Sequence, residues 1–113
     1  MTRHDPLVRI RHMRDHAREA IEMLGDKALD ELLSNRMLQL ALIQLIAIVG
    51  EAATQVNEET REDYPAVPWQ LAADMRNKII HGYDAIEHAI VYDTVKYDLP
   101  PLVARLDEIL GDE

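Results

Sequence analysis

The stretch Met37-Leu38-Gln39-Leu40-Ala41-Leu42-Ile43-Gln44-Leu45-Ile46-Ala47-Ile48-Val49 decides how this chain folds. Only Gln39 and Gln44 interrupt it, so a helix through it is apolar on nearly every side. Ser34 or Asn35 can cap that helix, which the pattern carries to about Val56 or Glu58. The apolar run is shorter than the roughly 20 residues that a bilayer span needs. A helix apolar all round must be buried all round. In 113 residues one bundle rarely covers such a helix completely. The stretch is therefore expected to be both the central core helix and part of a subunit interface.

Helical patterning extends outward in both directions. Asp5 is an N-cap candidate with Pro6 in the first turn, and Leu7, Ile10, Met13/Arg14, Ala17, Ile21 and Leu24 follow helical spacing up to Gly25. A short helix over Lys27 to Leu33 comes before the central one. Asn57 to Val67 reads as a polar loop. Pro68 opens a helix with Trp69, Leu71, Ala72 and Met75 as its buried members, and Gly82 ends or bends it. Asp84, with Glu87 as capping-box partner, starts another helix whose apolar face is Ile86, Ile90, Val91 and Val95. Asp98-Leu99-Pro100-Pro101 breaks the chain before a last helix over Leu102 to Leu110. No strand alternation and no Asn-Gly or Asp-Gly turn appears. The expected architecture is one all-α domain, residues 1–113: an antiparallel bundle of four to five main helices plus a short one, dimeric through the long apolar helix and the segment after it.

Cysteine is absent, which removes disulfides, thiolate nucleophiles and thiolate metal ligands. Met1 to Pro6 contains no apolar signal-peptide core, so a soluble cytoplasmic protein is expected. The net charge of -9 argues against a broad electrostatic grip on nucleic acid, although a local basic site is compatible with it. Five of the nine arginines lie between Arg3 and Arg18. The stripe Arg3, Arg11, Arg14, Arg18 is either a solvated face or the basic patch that an acidic RNA binder needs. His12 and His16 have the i, i+4 spacing of a zinc pair, but no third ligand is evident nearby, and solvent-facing residues are the plainer reading.

The chemistry concentrates in Arg76-Asn77-Lys78-Ile79-Ile80-His81-Gly82-Tyr83. A guanidinium can fork onto a phosphate, and an imidazole can move a proton near neutral pH. On an unbroken helix, residues five apart are separated by ~140° about the axis. Arg76 and His81 can therefore cooperate only if the helix ends near Ile80, if a two-fold dimer makes the site composite, or both. The plain alternative is a helix-end Arg paired with an acid and a His satisfying terminal carbonyls. Glu51 is either a buried acid anchoring Arg76 across the bundle or a solvated helix residue. Trp69 is either core or a base-stacking platform.

These residues resemble the signature of the HEPN-domain ribonucleases, in particular the HepT-type toxins. The resemblance rests on an ordered set: Gly50-Glu51-Ala52-Ala53, Val67-Pro68-Trp69, Arg76-Asn77, His81-x-Tyr83 and Asp98-Leu99-Pro100. It implies an all-α homodimer that cleaves RNA (tRNA or mRNA) without metal or cofactor. Arg76 and His81 would be catalytic at a two-fold cleft, with Asn77, Tyr83 and Glu51 supporting. It further implies the toxin of a type VII-like toxin–antitoxin pair, silenced when a nucleotidyltransferase antitoxin transfers AMP to Tyr83. The alternative is a non-catalytic HEPN module that binds a nucleotidyltransferase partner or a nucleotide.

Overall fold

Helix α1, Pro6–Leu24, starts where the sequence places it: the Asp5 carboxylate accepts the Leu7 N–H at 2.9 Å and Pro6 occupies the first turn. It stops at Gly25, which takes φ +52 while its N–H donates to the Ile21 carbonyl. The computed structural model describes residues 5–81 and 85–111. Along α1 the buried positions Ile10, Met13, Ala17, Ala20 and Leu24 follow a 3–4 spacing, which makes one apolar face. Helix α2, Leu29–Leu33, is shorter than the Lys27 to Leu33 expectation.

Helix α3, Arg36–Thr54, is capped by Asn35, whose side chain accepts the Leu38 N–H at 3.0 Å. By length and composition it could cross a membrane, since the helix outruns the apolar stretch; half of that window is buried inside the protein. It packs mainly against α1. Gln39, which interrupts the apolar run, is buried and has a purpose: its Nε2 donates to the Leu32 and Leu33 carbonyls at 2.9 and 3.1 Å. It thereby adds a donor to the carbonyls at the end of α2, where Leu32 also accepts the Asn35 N–H at 3.1 Å. At the other end of α3, Arg61 donates to the carbonyls of Ala53 (2.7 Å) and Val56 (3.2 Å). Arg61 lies on α4, Glu58–Asp63, a helix within the span read as a loop. Asn57 caps α4 by accepting the Thr60 N–H at 2.8 Å. The charged composition of α4 hid it, because a short helix with little apolar periodicity gives no pattern to read.

Helix α5, Trp69–Ile79, follows Pro68 as expected, with Trp69, Ala72, Met75 and Ile79 buried and Leu71 half-buried. It packs on α3. Trp69 is core, and its indole N–H donates to the Tyr64 carbonyl at 3.0 Å. After α5 come two two-residue strands, β1 Ile80–His81 and β2 Ala85–Ile86, paired antiparallel with Ile80 opposite Ile86 and His81 opposite Ala85. This minimal ladder was not visible in the sequence, since two residues show no alternation. The fold class is all-α nonetheless.

Helix α6, His88–Asp93, starts after Glu87 and not at Asp84, which lies outside the described residues; Ile86 belongs to β2 and is exposed, so it is not part of the apolar face of α6. The expected break at Asp98-Leu99-Pro100-Pro101 does not occur. A π-helical turn, Thr94–Asp98, continues α6 into α7, Leu99–Leu110. The Leu99 N–H reaches back to the Thr94 carbonyl, a five-residue step, and Pro100 and Pro101 fall in the first turn of α7. The wide turn accommodates two residues that have no N–H to donate and whose rings crowd the preceding turn.

Helix α7 covers the flank of α1 and fixes it with an ion-pair cluster. Arg14, on the buried face of α1, is only 6% exposed. Its Nε donates to Asp15 at 3.0 Å, and its Nη1 lies 3.6 Å from Asp107 Oδ1 of α7. The other Asp107 oxygen accepts from Arg18 Nη2 at 2.7 Å. Arg11 faces Asp5 at 3.8 Å, and Arg3 lies outside the described residues. The arginine stripe is thus neither simply solvated nor a free basic patch, because its described members meet acids of the same chain. Removing one partner of a mostly buried pair leaves the other charge poorly compensated. Asp107→Ala is expected to lower unfolding free energy by about 2 kcal/mol, the scale of a charged hydrogen bond. Glu108→Ala, which breaks an exposed pair with Arg105, should stay within ~0.5 kcal/mol of the parent. Urea melts of both variants check this, and equal effects would contradict it.

Candidate active site

Gly50 of α3 lies against α5. A methyl group built there would lie 3.4 Å from the Ala72 carbonyl oxygen, 3.5 Å from that of Ala73 and 3.8 Å from Arg76 Cβ. The small residue on α3 lets the backbone of α5 lie against it, and this contact sets where Arg76 emerges. Arg76 and Asn77 occupy the last turn of α5 and are both exposed. Basic groups there are favoured by the partial negative charge at a helix C-terminus.

The helix ends at Ile79, three residues before Gly82. The Ile79 carbonyl accepts the Glu87 N–H at 3.0 Å, which closes the β1–β2 ladder against the helix end. His81 therefore lies beyond α5, on β1. The angular separation that a continuous helix would impose between residues five apart does not apply to Arg76 and His81. For His81 the structure describes the backbone, while Gly82 and Tyr83 lie outside the described residues.

A cavity of about 630 Å³ opens where α1, α3 and α5 meet. Arg76 forms its α5 wall, and Gln44 and Glu51 stand on α3, with Gln55 just past its end. Ala47 and Ile48 make an apolar floor. Glu51 is exposed, and its carboxylate accepts from Gln55 Nε2 at 3.2 Å. This corrects the expectation of a buried acid anchoring Arg76: the two share the cavity, but no ion pair joins them, because Glu51 projects from the solvent flank of α3. The wall facing them is contributed by Arg9 and His12 of α1, which sequence spacing did not connect with Arg76. The ring of His16 donates from Nδ1 to the His12 carbonyl at 2.7 Å. Among the described residues no group of three His, Cys, Asp or Glu side chains could hold a metal ion.

The family model of the HepT-like ribonucleases matches residues 13–109. The chain belongs to the HepT-like ribonuclease family. As a HepT-like ribonuclease it is an endoribonuclease. It is similar to a Methanocaldococcus jannaschii protein named provisionally as an RNase, 30% identical over 94 residues, covering 83% of this chain and 81% of the relative. A second protein of that organism, named in the same way, is 32% identical over 93 residues, covering 82% and 85%. A Thermococcus cleftensis protein designated a probable ribonuclease HepT is 30% identical over 95 residues, covering 80% and 86%. No solved structure matches the chain significantly.

The close approach at Gly50 makes a sharp prediction for a HepT-like chain. Gly50→Ala adds only ordinary contacts and removes the penalty of a helical glycine, so stability should rise by about 0.5–1 kcal/mol. Gly50→Leu must push α5 and Arg76 away, lowering stability by about 1–3 kcal/mol. It should also lower RNA cleavage. Thermal melts and cleavage rates of the two variants, compared side by side, check the contact.

Proposed function

We propose that this chain is the toxin of a toxin–antitoxin pair: a cytoplasmic, metal-independent endoribonuclease that cleaves tRNA or mRNA at a composite cleft between two copies, and that is silenced by AMP transfer to Tyr83. The observation that carries the catalytic part is the placement of Arg76. It is exposed on a cavity wall, and the helix that bears it ends before His81.

RNA supplies its own nucleophile, so no metal-bound hydroxide has to be generated. The 2′-oxygen attacks the adjacent phosphorus while a base takes its proton; the P–O5′ bond breaks, an acid protonates the leaving oxygen, and a cyclic 2′,3′-phosphate and a 5′-hydroxyl result. His81 acts as base or acid, with His81 of the second copy in the complementary role. Arg76 stabilises the charge that develops on the phosphorane. Asn77 holds the phosphate or the His81 ring. Glu51 supports from α3, across the same cavity.

The dimer reading is supported by what α3 leaves uncovered. Met37 is 82% exposed and Leu40 51%, and with Ala41, Ala47 and Ile48 they form one stripe at helical spacing. The stripe leads into the cavity, whose floor includes Ala47 and Ile48. A second copy laid on this stripe covers the apolar face and brings two sites together.

Silencing follows from chemistry at one hydroxyl. The Tyr83 oxygen attacks the α-phosphorus of ATP on a partner nucleotidyltransferase, pyrophosphate leaves, and the AMP ester adds bulk and negative charge where RNA must bind.

Purified His81→Ala and Arg76→Ala proteins should each degrade RNA at least ~100-fold more slowly than wild type. Their circular dichroism should be unchanged, and expression of the wild type alone should arrest growth. Tyr83→Phe should stay active yet take up no label from ATP beside the nucleotidyltransferase. Wild-type degradation by His81→Ala would sink the catalytic assignment. Light scattering should give a dimer for the wild type and a monomer of lowered activity for Leu40→Glu; an unaltered dimer places the interface elsewhere.

A further inference from the structure

We infer that Arg9 and His12 of α1 are substrate-positioning residues: they form a second phosphate-binding element that holds the RNA phosphate neighbouring the one gripped by Arg76. The inference rests on the ribonuclease reading of this cavity.

Three observations carry it. The first is how the cations are partnered. Arg14 and Arg18 meet Asp107, Arg11 meets Asp5, and Arg105 meets Glu108. Arg61 caps α3, Arg36 donates to Gln39, and Lys27 and Lys96 have hydrogen-bond acceptors of their own. Arg9, Arg76 and Lys78 have no such partner among the described residues, and the first two line one cavity. In a chain of net charge -9 this is a selective arrangement.

The second is the balance of charge in the cavity. Two guanidinium groups face one carboxylate, Glu51, which already accepts a hydrogen bond from Gln55. The walls therefore favour an anion. Their volume, about 630 Å³, falls in the range of roughly 300–1,000 Å³ usual for small-ligand sites and accommodates more than a lone phosphate.

The third is the geometry of α1. Arg9 and His12 are three residues apart, neighbours on one helix face. The His12 ring stands edge-to-face with that of His16, centroids 6.1 Å apart, and His16 is itself fixed by its bond to the His12 carbonyl. The pair is thus presented from a rigid element, one that the Asp107 cluster holds against α7. Arg76 grips the phosphate that reacts. Arg9 pairs with the next phosphate along the strand, and His12 hydrogen-bonds the same stretch of backbone.

The test uses the full chain and a short mixed-sequence 2′-O-methyl oligoribonucleotide, which has no free 2′-hydroxyl to attack. Binding is followed by fluorescence anisotropy across a salt series, and cleavage on a labelled single-stranded RNA. Arg9→Ala should weaken binding about tenfold and flatten the slope of log K against log salt by ~0.7, the value of one phosphate contact on a single strand. His12→Ala should weaken binding several-fold. In both variants KM should rise while kcat stays within about twofold, and Arg9→Lys should restore the salt slope. These residues lie at the surface of α1, so melting curves should match the wild type; a purely structural role would move the melts and leave the slope alone. A double Arg9→Ala, His12→Ala protein with wild-type affinity and slope, beside an actively cleaving wild type, overturns the inference. A wild type that neither binds nor cleaves RNA overturns the ribonuclease reading and takes the inference with it.

Discussion

A helix apolar on nearly every side has to be covered from most directions, and α3 imposes that demand on the rest of the chain. Helix α1 takes one flank and α5 another, and α7 then braces α1 from behind. Of the two polar interruptions, Gln39 turns inward to close α2, while Gln44 is exposed on the cavity wall; Gly50 is small enough for α5 to lie against it. What this chain cannot cover is the stripe through Met37, Leu40, Ala41, Ala47 and Ile48. The cavity lies at the end of that stripe because that is where the two covering helices and the uncovered flank meet. Packing and site are therefore consequences of one constraint. The same constraint bears on the proposed dimer, since the uncovered apolar stripe is continuous with the cavity.

Electrostatics follow a division that the net charge conceals. Most arginines serve the fold. Arg61 holds the end of α3 by its carbonyls, Arg14 and Arg18 fasten α1 to α7 through Asp107, and Arg11 meets the capping residue Asp5. An acidic protein built this way offers no broad attraction to a polyanion. It concentrates what attraction it has at one opening, where Arg76 projects from α5 and Arg9 from α1. Such a distribution suits an enzyme that must meet RNA at a defined point and release it, more than one that coats it.

Much of this was legible in the sequence because it is local. Asp5, Asn35 and Gly25 announce helix ends through chemistry confined to one turn, and the apolar spacing of α1 and α5 names their buried faces. The motif Arg76-x4-His81 was legible as chemistry, and the angular conflict between its two residues required the helix to end or a second copy to contribute. Other features were not legible, for identifiable reasons. Helix α4 is too polar to show a period. The β1–β2 ladder is too short to alternate. The two prolines at Pro100 and Pro101 read as a break because nothing in their vicinity signals the π turn that admits them. Glu51 was left open between a buried and a solvated position, because a residue after Gly50 could face either way and only the rotation of α3 against α5 decides it. Arg9 and His12 were missed for a different reason: their relation to Arg76 exists only in three dimensions, across most of the chain.

That last gap bears on how the site works. A motif read along one segment suggests a catalytic apparatus carried by α5 and the residues after it, with the rest of the protein as scaffold. The cavity has three walls from three helices, and its α1 wall carries a cation and an imidazole that the motif does not include. Helix α1 is also held on two sides, pinned to α3 by its apolar face and to α7 by the Asp107 cluster. A wall fixed in this way suits the holding of substrate backbone, which needs constant geometry. The end of α5 leads into the ladder that carries His81, the group proposed to move protons. Dividing positioning from the proposed proton transfer between different elements lets each be shaped without disturbing the other.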